Sequence, residues 1–200
     1  LRFYFFTLSN WYLINIDIKI INYIFISILV CFTILIFDGF TQFFFNQNIF
    51  GWPLIKTRVS SFFGDELILG SYLSRLFPIL FAGMIFRYEK YRNKDFFFYL
   101  VLSIFILSEV LIFLSGERVA FFYLNLSALF ILILSANYKK IRLFTLSFSL
   151  ILIIIISNFA PQFKERMVDK TIEQIGMQSD KKYFFSSQHT DHYISAVKMF

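Results

Sequence analysis

Residues Leu143–Ala160 read LFTLSFSLILIIIISNFA, a stretch without a single charge that contains the unbroken apolar run Ile151–Ile156. A helix of roughly 20 apolar residues crosses the ~30 Å hydrocarbon core of a bilayer. Similar runs appear on moving outward along the chain. Ile20–Phe37 and Val119–Ser135 are uncharged, Phe96–Leu114 carries only Glu109, and Leu67–Phe86 carries Arg75 and Pro78. Phe3–Ile16 reads as the trailing part of a further helix. In lipid, backbone groups have no water to bond, so such runs form helices. A membrane β-barrel needs alternating segments of ~10 residues, and these runs are continuous. The expected fold is therefore all-α, a polytopic transmembrane helix bundle of about six helices, at about 3–16, 20–37, 67–86, 96–114, 119–135 and 143–160. Residues 1–160 form the transmembrane region, and 161–200 begin a large, partly helical outer (periplasmic) segment. Position 1 is Leu and Phe200 falls within an amphipathic stretch, so an internal fragment of a longer protein is expected.

Composition agrees. The 200 residues are 58% hydrophobic and 16% charged, against about 25% charged in soluble domains. The net charge of +6 falls mostly in short gaps between apolar runs, with no basic stripe among polar residues, so nucleic acid is not an expected partner. The one cysteine, Cys31, lies in an apolar run; it forms no internal disulfide and reads as a small hydrophobe.

The loop charges set an orientation. Arg87, Lys90, Arg92 and Lys94 fill one gap, and Lys139, Lys140 and Arg142 fill another. Counting across the helices puts both gaps on one side with the turn at 15–19, and the positive-inside rule makes that side cytoplasmic. Asp38–Glu66, Ser115–Arg118 and Pro161–Phe200 then face outward. Trp52, Tyr72 and Tyr99 suit an interfacial aromatic belt.

Charges at the membrane edge or inside it are costly to keep, so each is a functional candidate. Arg58, at the outer edge, suits bidentate phosphate binding; its plainer role is an anchor or a salt bridge to Asp65 or Glu66. Arg118 follows the tight turn Ser115-Gly116-Glu117 and is pinned between two helices; a surface pair with Glu117 is the plainer role. Arg75 lies about two turns into its helix, where a bridge to Glu109 or a phosphate contact would shelter it. His189 and His192, in the stretch Gln188–Tyr193, suit general-base work on a hydroxyl, against the plainer reading of solvated loop residues. Helical spacing would put both on one face, but no third ligand has zinc-like spacing, so no metal is expected. Outward arginines with a base suit a diphosphate leaving group and a hydroxyl acceptor, the arginines stabilising the departing charge.

Several stretches carry a resemblance: Phe37-Asp38-Gly39-Phe40, Asn48-Ile49-Phe50-Gly51, Arg58–Glu66, Gly70-Ser71-Tyr72-Leu73 and Ser115-Gly116-Glu117-Arg118-Val119-Ala120. From about Ile20 to Phe200 the chain resembles the bacterial O-antigen ligase and O-antigen polymerase superfamily. The last stretch looks like that family's short S/T-G-x-R turn. The resemblance implies a glycosyltransferase of the bacterial inner membrane, working without cofactor on an undecaprenyl-diphosphate-linked glycan. The acceptor would be a growing glycan or lipid A–core, and a chain-length regulator is an expected partner beside the membrane lipids. Arg58 and Arg118 match the arginines that engage the diphosphate. His192-Tyr193-Ile194 matches the family's His-Asn-x-Tyr-type stretch poorly, so the base is expected at His192 or His189, or beyond Phe200.

Two other classes stay open. A dolichol-phosphate-type glycosyltransferase would use an acidic pair in the first outer loop, which Asp65-Glu66 supplies. A transporter or glycolipid flippase would show helices broken near the midplane, and only Pro78 offers a break.

Overall fold

The computed structural model describes residues 17–91, 96–134 and 138–169, with isolated positions on either side. The helix expected over 3–16 lies, apart from such positions, outside the described residues, as does most of 161–200. Among the described residues the chain is helical and has no strand; two isolated bridges, Gln47 with Pro53 and Ile55 with Arg58, are its only extended pairing.

The helices are α1 (Lys19–Phe45), α2 (Leu69–Tyr91), α3 (Phe96–Leu114), α4 (Arg118–Leu134), α5 (Lys139–Phe159) and the single turn α6 (Pro161–Lys164). A π-helical turn, Glu165–Asp169, continues α6. Lys19–Phe45, Leu69–Tyr88 and Lys139–Phe159 are long and apolar enough to cross a membrane. The apolar stretches Phe98–Leu114 and Arg118–Leu134 are shorter.

α3 sits centrally, packed on α1, α2, α4 and α5, and α2 also packs on α1 and α4. Phe32, Leu73, Phe77, Phe81, Phe105 and Leu111 fill the space between them and are fully buried. The outer faces are apolar as well. On α5, Phe144, Ile151, Ile154 and Phe159 are exposed, a stripe that would be unfavourable in water and neutral in lipid.

Three helices run differently from the sequence expectation. α2 was expected to end at Phe86, yet it continues to Tyr91, so Arg87, counted above among the loop charges, is helical and donates to Asn22 Oδ1 at 2.8 Å. α1 was expected to end at Phe37, before Asp38, yet it continues to Phe45. Asp38 and Gln42 are completely buried. They sit on the inner face and bond the loop that follows, so the helix carries polar groups without exposing them to an apolar surroundings. α5 starts at Lys139, before the expected 143. Arg142, counted above among the loop charges, is therefore a helical residue with no exposed surface. Lys139 and Lys140 remain exposed at that end.

Candidate functional site

Three segments meet at one end of the helices: the α1–α2 connection (46–68), the α3–α4 turn (115–117), and α6 with its π-helical turn. The connection is held from inside by α1. Gln42 Oε1 accepts the N–H groups of Ser60 and Ser61 at 2.9 and 2.8 Å, while its amide donates to the carbonyls of Trp52 and Pro53. Asp38 accepts the Ser61 hydroxyl at 2.6 Å and the Ile49 N–H at 2.9 Å. Asn48 Oδ1 accepts the N–H groups of Phe50 and Trp52 at 3.0 and 2.8 Å. Buried side chains thus satisfy loop N–H groups that would otherwise lose their bonds to water.

Ile55 and Arg58 flank a tight turn closed by the Arg58 N–H on the Ile55 carbonyl at 3.0 Å. Its central residues, Lys56 and Thr57, both have positive φ, 51° and 58°. That is a type I′ arrangement, normally filled by Asn-Gly because branched side chains crowd the left-handed region. Strain of this kind persists only where surrounding contacts over-determine the backbone, and here it presents Arg58.

Arg58 reaches from this turn to the α3–α4 turn. Its Nε donates to the Ser115 carbonyl at 2.7 Å, and Nη2 donates to the Leu67 carbonyl at 3.1 Å. Gly116 has φ +67°, which permits the turn, and its bare Cα makes room for two guanidinium side chains. A Cβ there would stand 2.9 Å from Cδ and Nε of Arg166 and 3.1 Å from Cγ of Arg58. Arg166, carried by the π-helical turn, donates from Nε to the Gly116 carbonyl at 3.3 Å. Arg118 opens α4 two residues later and is partly buried.

The acid at this end is already engaged. Glu117 accepts the N–H groups of Gly70 and Ser71, at 2.8 and 3.2 Å, and the Ser71 hydroxyl. It caps the N-terminus of α2 from another segment, where a carboxylate is favoured by the unpaired N–H groups and the helix dipole. Its contact with Arg58 Nη2 is 3.9 Å. The structure therefore corrects two expected pairs: Arg58 pairs with Glu117 rather than Asp65 or Glu66, and Glu117 caps α2 rather than only pairing with Arg118. Burial lowers the Arg58 pKa from its ordinary value, repulsion from Arg166 lowers it further, and Glu117 compensates only in part. Arg58 and Arg166 thus meet at Gly116 and repel each other, beside an acid whose oxygens serve a helix end.

Arg75 stands elsewhere. It lies on the exposed stripe of α2 with Ile79 and Ala82. The expected bridge to Glu109 does not form, because Glu109 is held by Arg142 and Ser149 of α5. Arg142 also lies 4.8 Å from the centre of the Phe77 ring. That pair is buried among the helices and is a structural feature distinct from the loop end. His189 and His192 lie outside the described residues.

Sequence reasoning missed Arg166 and the partnership of Glu109. The second had a readable signal: Arg142, Thr145 and Ser149 repeat at helical spacing and form a polar stripe on an otherwise apolar helix. The chain matches no protein-family model, no curated protein and no solved structure.

Proposed function

We propose that this chain is part of a multi-pass glycosyltransferase of the bacterial inner membrane that polymerises or ligates an undecaprenyl-diphosphate-linked glycan at its outer face. In this reading the Gly116 end faces the periplasm. The exposed lysines Lys139 and Lys140 at the opposite end support that orientation through the positive-inside rule.

The observation that carries the proposal is the convergence of Arg58 and Arg166 on Gly116 beside an acid committed to capping α2. Such a cluster suits a diphosphate. Guanidinium groups bind phosphate oxygens through paired, charge-assisted hydrogen bonds, and preorganised cations stabilise the charge that develops as the sugar–phosphate bond breaks. Arg58 is already oriented by two carbonyls, so little ordering is left for the binding step. Arg118 is the third cation of this end. His192 or His189 takes the proton from the acceptor hydroxyl. Arg75, on the exposed stripe of α2, is assigned no part.

The test uses the full-length protein in its host. Arg58→Ala and Arg166→Ala each abolish long-chain glycan on gels while membrane insertion stays intact. Normal chain lengths in both variants would overturn the proposal.

A further inference from the structure

Beside the arginine cluster, the α1–α2 connection forms a half-open cavity of about 320 Å³ lined by Trp52, Pro53, Ile55, Phe63, Gly64 and Asp65. We infer that this cavity is a carbohydrate subsite that seats a neutral pyranose, with the Trp52 indole beneath the ring and the Asp65 carboxylate accepting its hydroxyl hydrogens. The inference deepens the proposed glycosyl transfer and rests on it for taking the sugar to be a residue of the diphosphate-linked glycan.

The volume is at the small end of the range for ligand pockets, suited to a single ring rather than a chain. The lining has two kinds of surface. Trp52 and Pro53 offer flat apolar area, and Trp52 is 43% exposed. A pyranose carries a face of C–H groups that matches such a surface, and an aromatic ring provides rigid contact at small entropic cost. Asp65 is exposed and makes no hydrogen bond or ion pair among the described residues, so its oxygens are free for paired hydroxyls through charge-assisted bonds.

The walls are fixed by contacts with α1, α2 and the loop itself. The backbone at Trp52 and Pro53 is fixed by Gln42 and Asn48. Phe63 packs on Tyr72 of α2 with ring centres 5.5 Å apart. Gly64, at φ +55°, lays its bare Cα against the indole; a Cβ there would come within 3.3 Å of Trp52 Cζ3. The cavity also adjoins the phosphate end directly. Its Ile55 is bridged to Arg58, and Leu67, two residues beyond Asp65, accepts a bond from Arg58 Nη2. A sugar joined to a diphosphate would span this short separation.

The alternative occupant of an exposed indole at this level is the lipid headgroup layer, and the test separates the two. Full-length protein in nanodiscs is titrated with methyl glycosides of glucose, galactose, mannose, N-acetylglucosamine and glucuronic acid while tryptophan fluorescence is followed. Trp52→Phe subtracts the signal of every other tryptophan. A saturable change that depends on Trp52 is expected for at least one neutral glycoside, with the anionic glucuronide weakest. Asp65→Asn, which alters no observed fold contact, should raise the dissociation constant about tenfold, the effect of losing one charge-assisted hydrogen bond. Inorganic diphosphate, titrated calorimetrically into the same sample, reads the arginine cluster separately. Diphosphate binding with no glycoside response, or a glycoside response indifferent to both Trp52→Phe and Asp65→Asn, overturns the subsite alone. Silence toward both ligands overturns the subsite and the proposed function together.

Discussion

The molecule contains two arginine–glutamate pairs in different settings. Arg142 and Glu109 face each other between α5 and α3 with no exposed surface on the arginine, and Ser149 completes the carboxylate. Arg58 and Glu117 meet in the loop end at 3.9 Å, both partly exposed. In the first pair one charge answers one charge, so the pair is neutral and joins two helices. In the second, the acid is occupied by α2 and a second cation, Arg166, presses on the first. An arginine whose acid answers it alone serves structure; an arginine whose acid is engaged elsewhere, and which is already oriented, is suited to hold an anion.

This contrast is broken most forcefully at the buried pair. Glu109→Ala leaves Arg142 buried without its counter-charge, at a cost of about 3–5 kcal/mol. Thermal unfolding of the full-length protein in detergent should show a large loss. Adding Arg142→Met to that variant should recover most of it, and a single variant as stable as the parent would remove the structural reading of the pair. At the loop end the corresponding change acts through the cap. Glu117→Gln keeps the shape but loses the charge at the α2 N-terminus, costing about 1 kcal/mol, with faster hydrogen exchange at the Gly70 and Ser71 amides. Unchanged exchange there would mean that Glu117 does not cap the helix.

The strained turn sharpens the comparison from the other direction. Replacing Lys56-Thr57 by Asn-Gly suits both left-handed positions and should stabilise the protein by roughly 0.5–1 kcal/mol. A lowered melting temperature would contradict the turn. Smallest in stability is Arg166→Gln, which relieves repulsion on Arg58 while losing a 3.3 Å bond, for a net change within about 0.5 kcal/mol. The linkage has a definite sign. Folding lowers the Arg58 pKa, so its charged form opposes folding in full below the lowered value, and the cost falls as pH rises from there to the ordinary arginine value, above which it vanishes. Arginine stays protonated at working pH, so anion concentration, rather than pH, relieves this cost.

Much of this was legible in the residue order. Continuous apolar runs marked five of the helices, and Gly116 marked the tight turn beside Arg118. Arg58 stood out as a guanidinium at the edge of a run. The rest depended on contacts that spacing alone does not carry. Arg142 looks like a loop charge because it stands with Lys139 and Lys140 ahead of the uncharged run 143–160, while α5 begins a turn earlier. Asp38 looked like a stop signal because its partners, Asn48 and Ser61, come from the following loop. Arg166 enters the cluster through a π-helical turn, a departure from regular helix that no periodicity announces.

In the proposed reading the loop end binds diphosphate through Arg58 and Arg166. The most direct measurement is calorimetric titration of inorganic diphosphate into the full-length protein, parent and Arg166→Gln, at several salt concentrations. Saturable binding to the parent is predicted, weakening as salt rises, with at least a tenfold loss in Arg166→Gln, as expected for removing a charge-assisted contact. Binding of equal strength in both proteins, or none in the parent, would contradict it.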